Sequence, residues 1–298
     1  MKVYGAIEAG GSKFICLVGI DPQHILEEAR FATTIPSETL SSVVEFFKRA
    51  AAGKNLAAIG IGCFGPLDLD PHSPSFGSIT ATPKPGWSNT HILTTLQDAL
   101  HTPVAIDTDV NAAALAEYTW GAAQDIDPFV YLTIGTGIGG GGIVNSAPLH
   151  GLVHPEMGHI RLPHDRQADP FDGVCPFHGD CFEGLASGPA LHKRWGQPAE
   201  ELPENHPAWE LESRYIALAL SDLVCTLSPK RIILGGGVMQ NLSLFPRIRE
   251  NLIKFLNGYI QSPEILGNID EYIQPPALGS RAGVLGALAL AQFGWGNS

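Results

Sequence analysis

Four residues near the middle of the chain, His159, Cys175, His178 and Cys181, have the types and spacing of a metal site. Two residues separate Cys175 from His178, and two separate His178 from Cys181, so consecutive side chains of a knuckle turn can reach one ion; His159 lies 16 residues before Cys175. Two Cys with two His form a closed tetrahedral Zn²⁺ site, so the zinc expected over 159–181 is structural. The intervening stretch, Pro163 to Asp180, is polar and rich in Pro and Gly, with little apolar material to fold it unaided. Structural zinc supplies such peptides with on the order of 10 kcal/mol. Separate thiols and imidazoles in a loop are the alternative. A metalloprotease helix is excluded, because His154 to His159 lacks the His-Glu-x-x-His order and Pro155 and Gly158 break a helix.

A second chemistry is carried by glycine. Gly135 to Gly142 holds six glycines and one hydroxyl, Thr136, in eight positions, between the apolar run Phe129–Ile134 and Ile143-Val144. Glycine lets backbone N–H groups converge and a ligand approach without a Cβ in the way, which suits a phosphate. Gly135-x-Gly137-x-x-Gly140 satisfies the dinucleotide fingerprint, but that motif needs a helix after it. Four glycines and two β-branched residues are strand material, so a hairpin around a phosphate is expected and hydride transfer is not. Glu8-Ala9-Gly10-Gly11-Ser12-Lys13 repeats the grammar about 125 residues earlier. Gly10-Gly11 alone reads as an ordinary hairpin turn; as a pair, the two turns suggest a duplicated unit with a ligand between its halves. Lys13 could meet phosphate there and Glu8 a hydrated Mg²⁺.

Three carboxylates complete the set. Asp109 follows a short apolar strand and precedes an Ala/Leu-rich helix, so it reads either as an N-cap or as a general base at a strand-to-helix junction. Glu156 and Glu183 flank the knuckle and read either as surface charge or as carboxylates pinned by it.

The elements that must place these groups follow from pattern and punctuation. Strands are expected at Val3–Ile7, Phe14–Ile20, 24–33, Ala57–Cys63, Val104–Ile106, Phe129–Ile134 and Arg231–Leu234, and helices at 40–52, 110–120, 209–226 and 284–293. Strand Ala57–Cys63 runs into Phe64-Gly65-Pro66-Leu67, a loop at a strand's carboxyl end, where ligands of α/β folds bind. Ser187-Gly188-Pro189 opens a helix, and Gly235-Gly236-Gly237-Val238-Met239-Gln240 is a third glycine turn able to approach a purine and ribose. Thr82 to Trp87 is a rigid loop whose Trp87 is expected at the surface, against a sugar face or the core edge.

The 298 residues suit two domains, and a net charge of −12 argues against a nucleic-acid or anionic-membrane surface. Glu8 interrupts any signal sequence and no apolar stretch is long enough to span a membrane, so the cytoplasm is expected. Five scattered cysteines are not a disulfide framework; Cys16, Cys63 and Cys225 are expected as small core residues.

In order and spacing these motifs resemble the ROK family of repressors, open reading frames and sugar kinases, in the actin/sugar-kinase/Hsp70 superfamily. The resemblance spans nearly the whole chain. It implies a duplicated ribonuclease-H-like α/β fold with a cleft between two domains, 1–120 and 121–283, and a final helix over 284–298 expected to return to the first. It implies an ATP-dependent hexose kinase with Asp109 as catalytic base. Gly65, Pro66, Thr108, Glu156, His159 and Glu183 are then sugar-facing. Gly10, Gly11, Ser12, Lys13, Thr136 and Gly137 are the phosphate loops, and Pro189, Gly235, Gly236, Gly237, Val238 and Gln240 the nucleoside side. Mg²⁺ and a homodimer are implied as well. Thr108 stands where glucose-using members commonly have Asn, and Cys175-x-x-His178 where their knuckle is Cys-x-Cys. Both, with the Thr82–Trp87 loop, resemble the fructokinase branch, so D-fructose is the expected acceptor, with mannose, glucose or N-acetylmannosamine as alternatives. A non-catalytic, sugar-sensing regulator of the same family is the rival of a different class.

Overall fold

The computed structural model describes residues 2–294; Met1 and the last part of the 284–298 segment, 295–298, lie outside the described residues. Two five-stranded sheets carry the chain. The first contains β1 (Lys2–Ala9), β2 (Lys13–Gly19) and β3 (Ile25–Ala32), then α1 (Pro36–Ala50), β4 (Asn55–Cys63), α2 (Ile92–Leu100) and β5 (Val104–Thr108). Helix α3 (Asp109–Trp120) leads to the second: β6 (Phe129–Ile134), β7 (Ile138–Val144) and β8 (Ala147–Pro148). Helices α4 (Phe182–Ala186), α5 (Gly188–Trp195) and α6 (Ala208–Leu227) precede β9 (Arg231–Gly235). The chain closes with α7 (Leu244–Leu256), α8 (Pro263–Leu266), α9 (Ile269–Tyr272), β10 (Ile273–Gln274) and α10 (Ala282–Phe293).

The strand orders are β3-β2-β1-β4-β5 and β8-β7-β6-β9-β10, so one topology is used twice. In each, an antiparallel hairpin (β1–β2, β6–β7) is followed by strands parallel to its first member. The repeat of strand, glycine turn and strand in the sequence is therefore a repeat of structure. Buried Ile, Val, Leu and Phe cluster separately around each sheet. Between them α3 and α10 pack against each other; α10 lies on β1 and β4, while α3 also lies on β6 and β7. Both helices are Ala-rich on every face, which allows this close double packing.

Three expectations are corrected. Trp87 is fully buried, not at the surface: its ring lies 5.4 Å from Phe14 and 5.5 Å from Phe64, and its indole N–H donates to the Thr34 carbonyl at 2.7 Å. A large ring with a satisfied N–H is worth more in the core than on a loop. Cys225 is exposed, because α6 turns Leu220, Leu223 and Val224 inward and position 225 outward, whatever its apolar neighbours in sequence. Helix α1 begins at Pro36 rather than near residue 40, since proline's fixed φ suits a first helical turn.

Candidate active site

Strand β5 delivers Asp107 and Thr108 to the sheet's carboxyl edge, and α3 starts at once. Its cap is Thr108, whose hydroxyl accepts the Asn111 N–H at 3.1 Å. Asp109, for which the N-cap was one of two readings from sequence, is instead the first helical residue, and its Oδ1 accepts the Val110 N–H at 2.9 Å. It lines a cavity of about 460 Å³ with Glu8, Lys13, Thr133 and Gly235 to Gly237. Burial pushes the Asp109 carboxyl up to about 7, and the nearby charge of Glu8 adds to the effect, with Glu156 contributing less. Glu8 is raised too, chiefly by burial and against the pull of Lys13, and its Oε2 has no hydrogen-bond partner. Two carboxylates thus share a largely desolvated space, with the exposed Lys13 beside them. Gly10, Gly11 and Ser12 form the adjoining β1–β2 turn, held by Thr33: its hydroxyl donates to Gly10 O at 2.7 Å and its N–H to Ser12 O at 3.0 Å.

A larger cavity of about 1230 Å³ is lined by Gly135, Thr136, Pro189, Trp209, Gly237 and Gln240, among others. Gly237 and Gln240 line both cavities, so the two adjoin there. Ser187 caps α5, and the Gly188 N–H donates to Gly135 O at 2.8 Å, which ties that helix to the β6–β7 turn. Gly236 has φ +94°, and a Cβ there would sit 2.3 Å from Ile134 O, so only glycine serves. The glycine run itself divides. Gly135 and Thr136 line the cavity, whereas a Cβ on Gly141 would lie 2.3 Å from Asn111 Oδ1, and Gly139 and Gly140 meet Val110 and Met157. Gly139 and Gly141 let α3 lie close on β7.

The acceptor-side residues come from three segments. The Glu183 Oε2 accepts the Ile138 N–H at 2.9 Å and would meet a Cβ on Gly137 at 2.8 Å, so it braces the same turn. Glu156 is exposed, with His154 Nδ1 3.6 Å and His159 Nε2 4.0 Å from its carboxylate. His159 faces two ways. Its Nδ1 lies 3.7 Å from the Cys175 sulfur and 3.6 Å from the Cys181 sulfur, and the Cys175 sulfur is 3.6 Å from His178 Nδ1. The four ligand atoms lie within 4.8 Å of one another. Ordinary Zn–S and Zn–N bonds give a tetrahedron with S···N edges of about 3.5 Å, so this donor set fits zinc. Gly65 and Pro66 meet this segment: a Cβ on Gly65 would lie 3.3 Å from His154 Nε2, which accepts the Leu67 N–H at 3.1 Å, and Pro66 lines a cavity with His154 and Glu156. Nothing in the spacing marks His150 or the part His154 plays, since their partners Asp107 and Leu67 are distant in the chain.

The ROK family model matches residues 4–293. The chain belongs to the ROK family. Among its relatives, this ROK protein is 45% identical over 297 residues to the fructokinase of Zymomonas mobilis subsp. mobilis, covering 97% of this chain and 96% of that one. It is 41% identical to the fructokinase of Streptococcus mutans, with 98% of each covered. Among solved structures it is similar to the ROK hexokinase of Thermus thermophilus, with a TM-score of 0.79, 30% identity and 98% of each chain covered. It also resembles a ROK glucokinase from Streptomyces griseus, solved with glucose and AMPPNP, with a TM-score of 0.78, 26% identity and coverage of 97% and 99%. The fold expected from sequence, two actin-like halves about a cleft, is the fold observed. No helix among the described residues is long and apolar enough to cross a membrane.

Proposed function

We propose that the protein is an ATP-dependent hexose kinase that converts D-fructose to D-fructose 6-phosphate. The observation that carries this reading is the position of Asp109: a carboxylate of raised pKa, in a cavity that meets a second, larger cavity at Gly237 and Gln240. A purine nucleoside held at Thr136, Pro189 and Val238 extends its phosphates past Gly237 toward Lys13 and the Gly10–Ser12 turn. The sugar sits beside Asp109, held by Thr108, Gly65, Pro66, Glu156, His159 and Glu183. Asp109 takes the O6 proton as that oxygen attacks the γ-phosphorus, the bond to the β-phosphate oxygen breaks, and ADP leaves. Such transfer needs positioning and charge stabilisation more than covalent chemistry. Mg²⁺ would neutralise phosphate charge, and Glu8, whose Oε2 has no hydrogen-bond partner, would hold its hydration shell.

Fructose, rather than glucose or mannose, is supported by the two fructokinase relatives above and by Thr108 and the Cys-x-x-His knuckle of this chain. His159, Cys175, His178 and Cys181 would hold a structural zinc that fixes His159, and with it the Glu156 side of the cleft. The reading includes domains at 1–120 and 121–283 that close over both substrates, and a cytoplasmic homodimer, the latter checked by light scattering. Phosphorus NMR of the product tests the reaction: phosphate at O6 supports it, and phosphate at O1 overturns it.

A further inference from the structure

One part of the acceptor side is built but unassigned. Asp107, two residues before Asp109, is fully buried, and every contact it makes is a donor's. Its Oδ1 accepts the Thr108 N–H at 2.7 Å and the Asn111 amide at 2.9 Å, and its Oδ2 pairs with His150 Nε2 at 2.9 Å. An ionised carboxylate can only accept, so Nε2 carries the proton and the tautomer is fixed. Asn111 closes the frame, accepting the Gly142 N–H at 3.2 Å and donating to Leu149 O at 3.3 Å. The imidazole is thus locked in place from the same strand end that presents Asp109. Its Nδ1 makes no hydrogen bond among the described residues, and the side chain is 37% exposed, lining a cavity of about 940 Å³ shared with Pro66, Thr80, His154 and Glu156. Hydrogen bonding to Asp107 also raises the His150 pKa, which favours the form protonated on both nitrogens.

We propose that His150 is a sugar-recognition residue, its Nδ1 hydrogen-bonding to a hydroxyl of the acceptor hexose, with Asp107 as the group that holds it there. The inference rests on the kinase reading above, but not on the identity of the hexose. A buried carboxylate spent on orienting one half-exposed imidazole is an unusual outlay for a loop that His154 already pins to Leu67. It makes sense where the ring's far edge meets a ligand. A polyol hydroxyl, able to donate or to accept, is the partner such a nitrogen suits, and the cavity's remaining polar groups include the carboxylates Asp68, Asp70 and Glu156 but no Lys or Arg. An anionic ligand is disfavoured on the same ground.

The test is steady-state kinetics of full-length His150→Ala and His150→Gln with whichever hexose the wild type turns over best. Loss of one such hydrogen bond raises the sugar KM by about three- to tenfold. The expected result is that rise in His150→Ala with the ATP KM unchanged, partial recovery in His150→Gln, and no change in Tyr259→Ala, an exposed side chain that lines none of the three cavities. A sugar KM unchanged in His150→Ala, or sugar and ATP KM rising together, overturns the inference. A wild type that phosphorylates only aldoses would sink the fructose reading and leave this test intact.

Discussion

Replacing Asp109 by Asn should separate activity from stability in opposite directions. Asn keeps the size of the side chain and an oxygen for the Val110 N–H, but cannot take a proton, so kcat should fall by ~10²–10⁴-fold. Stability should rise. A carboxyl whose folded pKa lies above its unfolded value costs nothing below the unfolded value. The penalty then grows as pH climbs and is complete above the folded value. From the ordinary 3.8 to about 7, at 1.36 kcal/mol per unit, the upper limit is about 4 kcal/mol. Partial exposure to the cavity reduces this to roughly 1–3 kcal/mol. Denaturant melts of wild type and variant at pH 8 and pH 5 measure it: the variant should gain at pH 8, and the gain should shrink at pH 5. In the wild type, kcat/KM for sugar should fall about tenfold per unit below pH ~7. A variant with undiminished turnover, or a wild-type profile flat between pH 5 and 8, would refute the assignment of the base.

Glu8→Gln removes the negative neighbour that helps to raise Asp109, so the acid limb of the same profile should move to lower pH, and a move to higher pH would contradict the pairing. Cys181→Ser should lower zinc content by elemental analysis, and Tm by roughly 5 °C or more, because the knuckle has little apolar material of its own; a variant of unchanged Tm would show that no metal folds it. Gly236→Ala, at φ +94° and against Ile134 O, should cost about 2 kcal/mol or more and weaken ATP binding. Trp87→Phe should destabilise by about 1–3 kcal/mol through lost volume and the lost bond to Thr34, yet leave the sugar KM unchanged.

Much of this site is legible in the sequence because its chemistry is local. The β6–β7 hairpin follows from four glycines ahead of Ile143-Val144, and the knuckle from ligand spacing; the structure gathers all four ligand atoms. What stayed hidden depends on partners far apart in the chain. Trp87 sits between Phe14 and Phe64, and no local pattern could bury it. The cap of α3 fell to Thr108 rather than Asp109 because backbone geometry, not residue preference, sets where β5 ends. Gly139 and Gly141 looked like ligand-binding glycines, but their missing Cβ atoms make room for α3, which lies 30 or so positions earlier, and that of Gly140 makes room for Met157. His150 was invisible for the same reason: its meaning comes from Asp107, 43 residues away.

The central claim is that a carboxylate between two glycine hairpins hands a phosphate to fructose. A coupled ADP-release assay of the purified protein with ATP and fructose, mannose, glucose or N-acetylmannosamine tests it most directly. The account predicts sugar-dependent ADP release with the highest kcat/KM for fructose, abolished in Asp109→Asn. Release that needs no sugar, or that is greatest with N-acetylmannosamine and survives in Asp109→Asn, would contradict it.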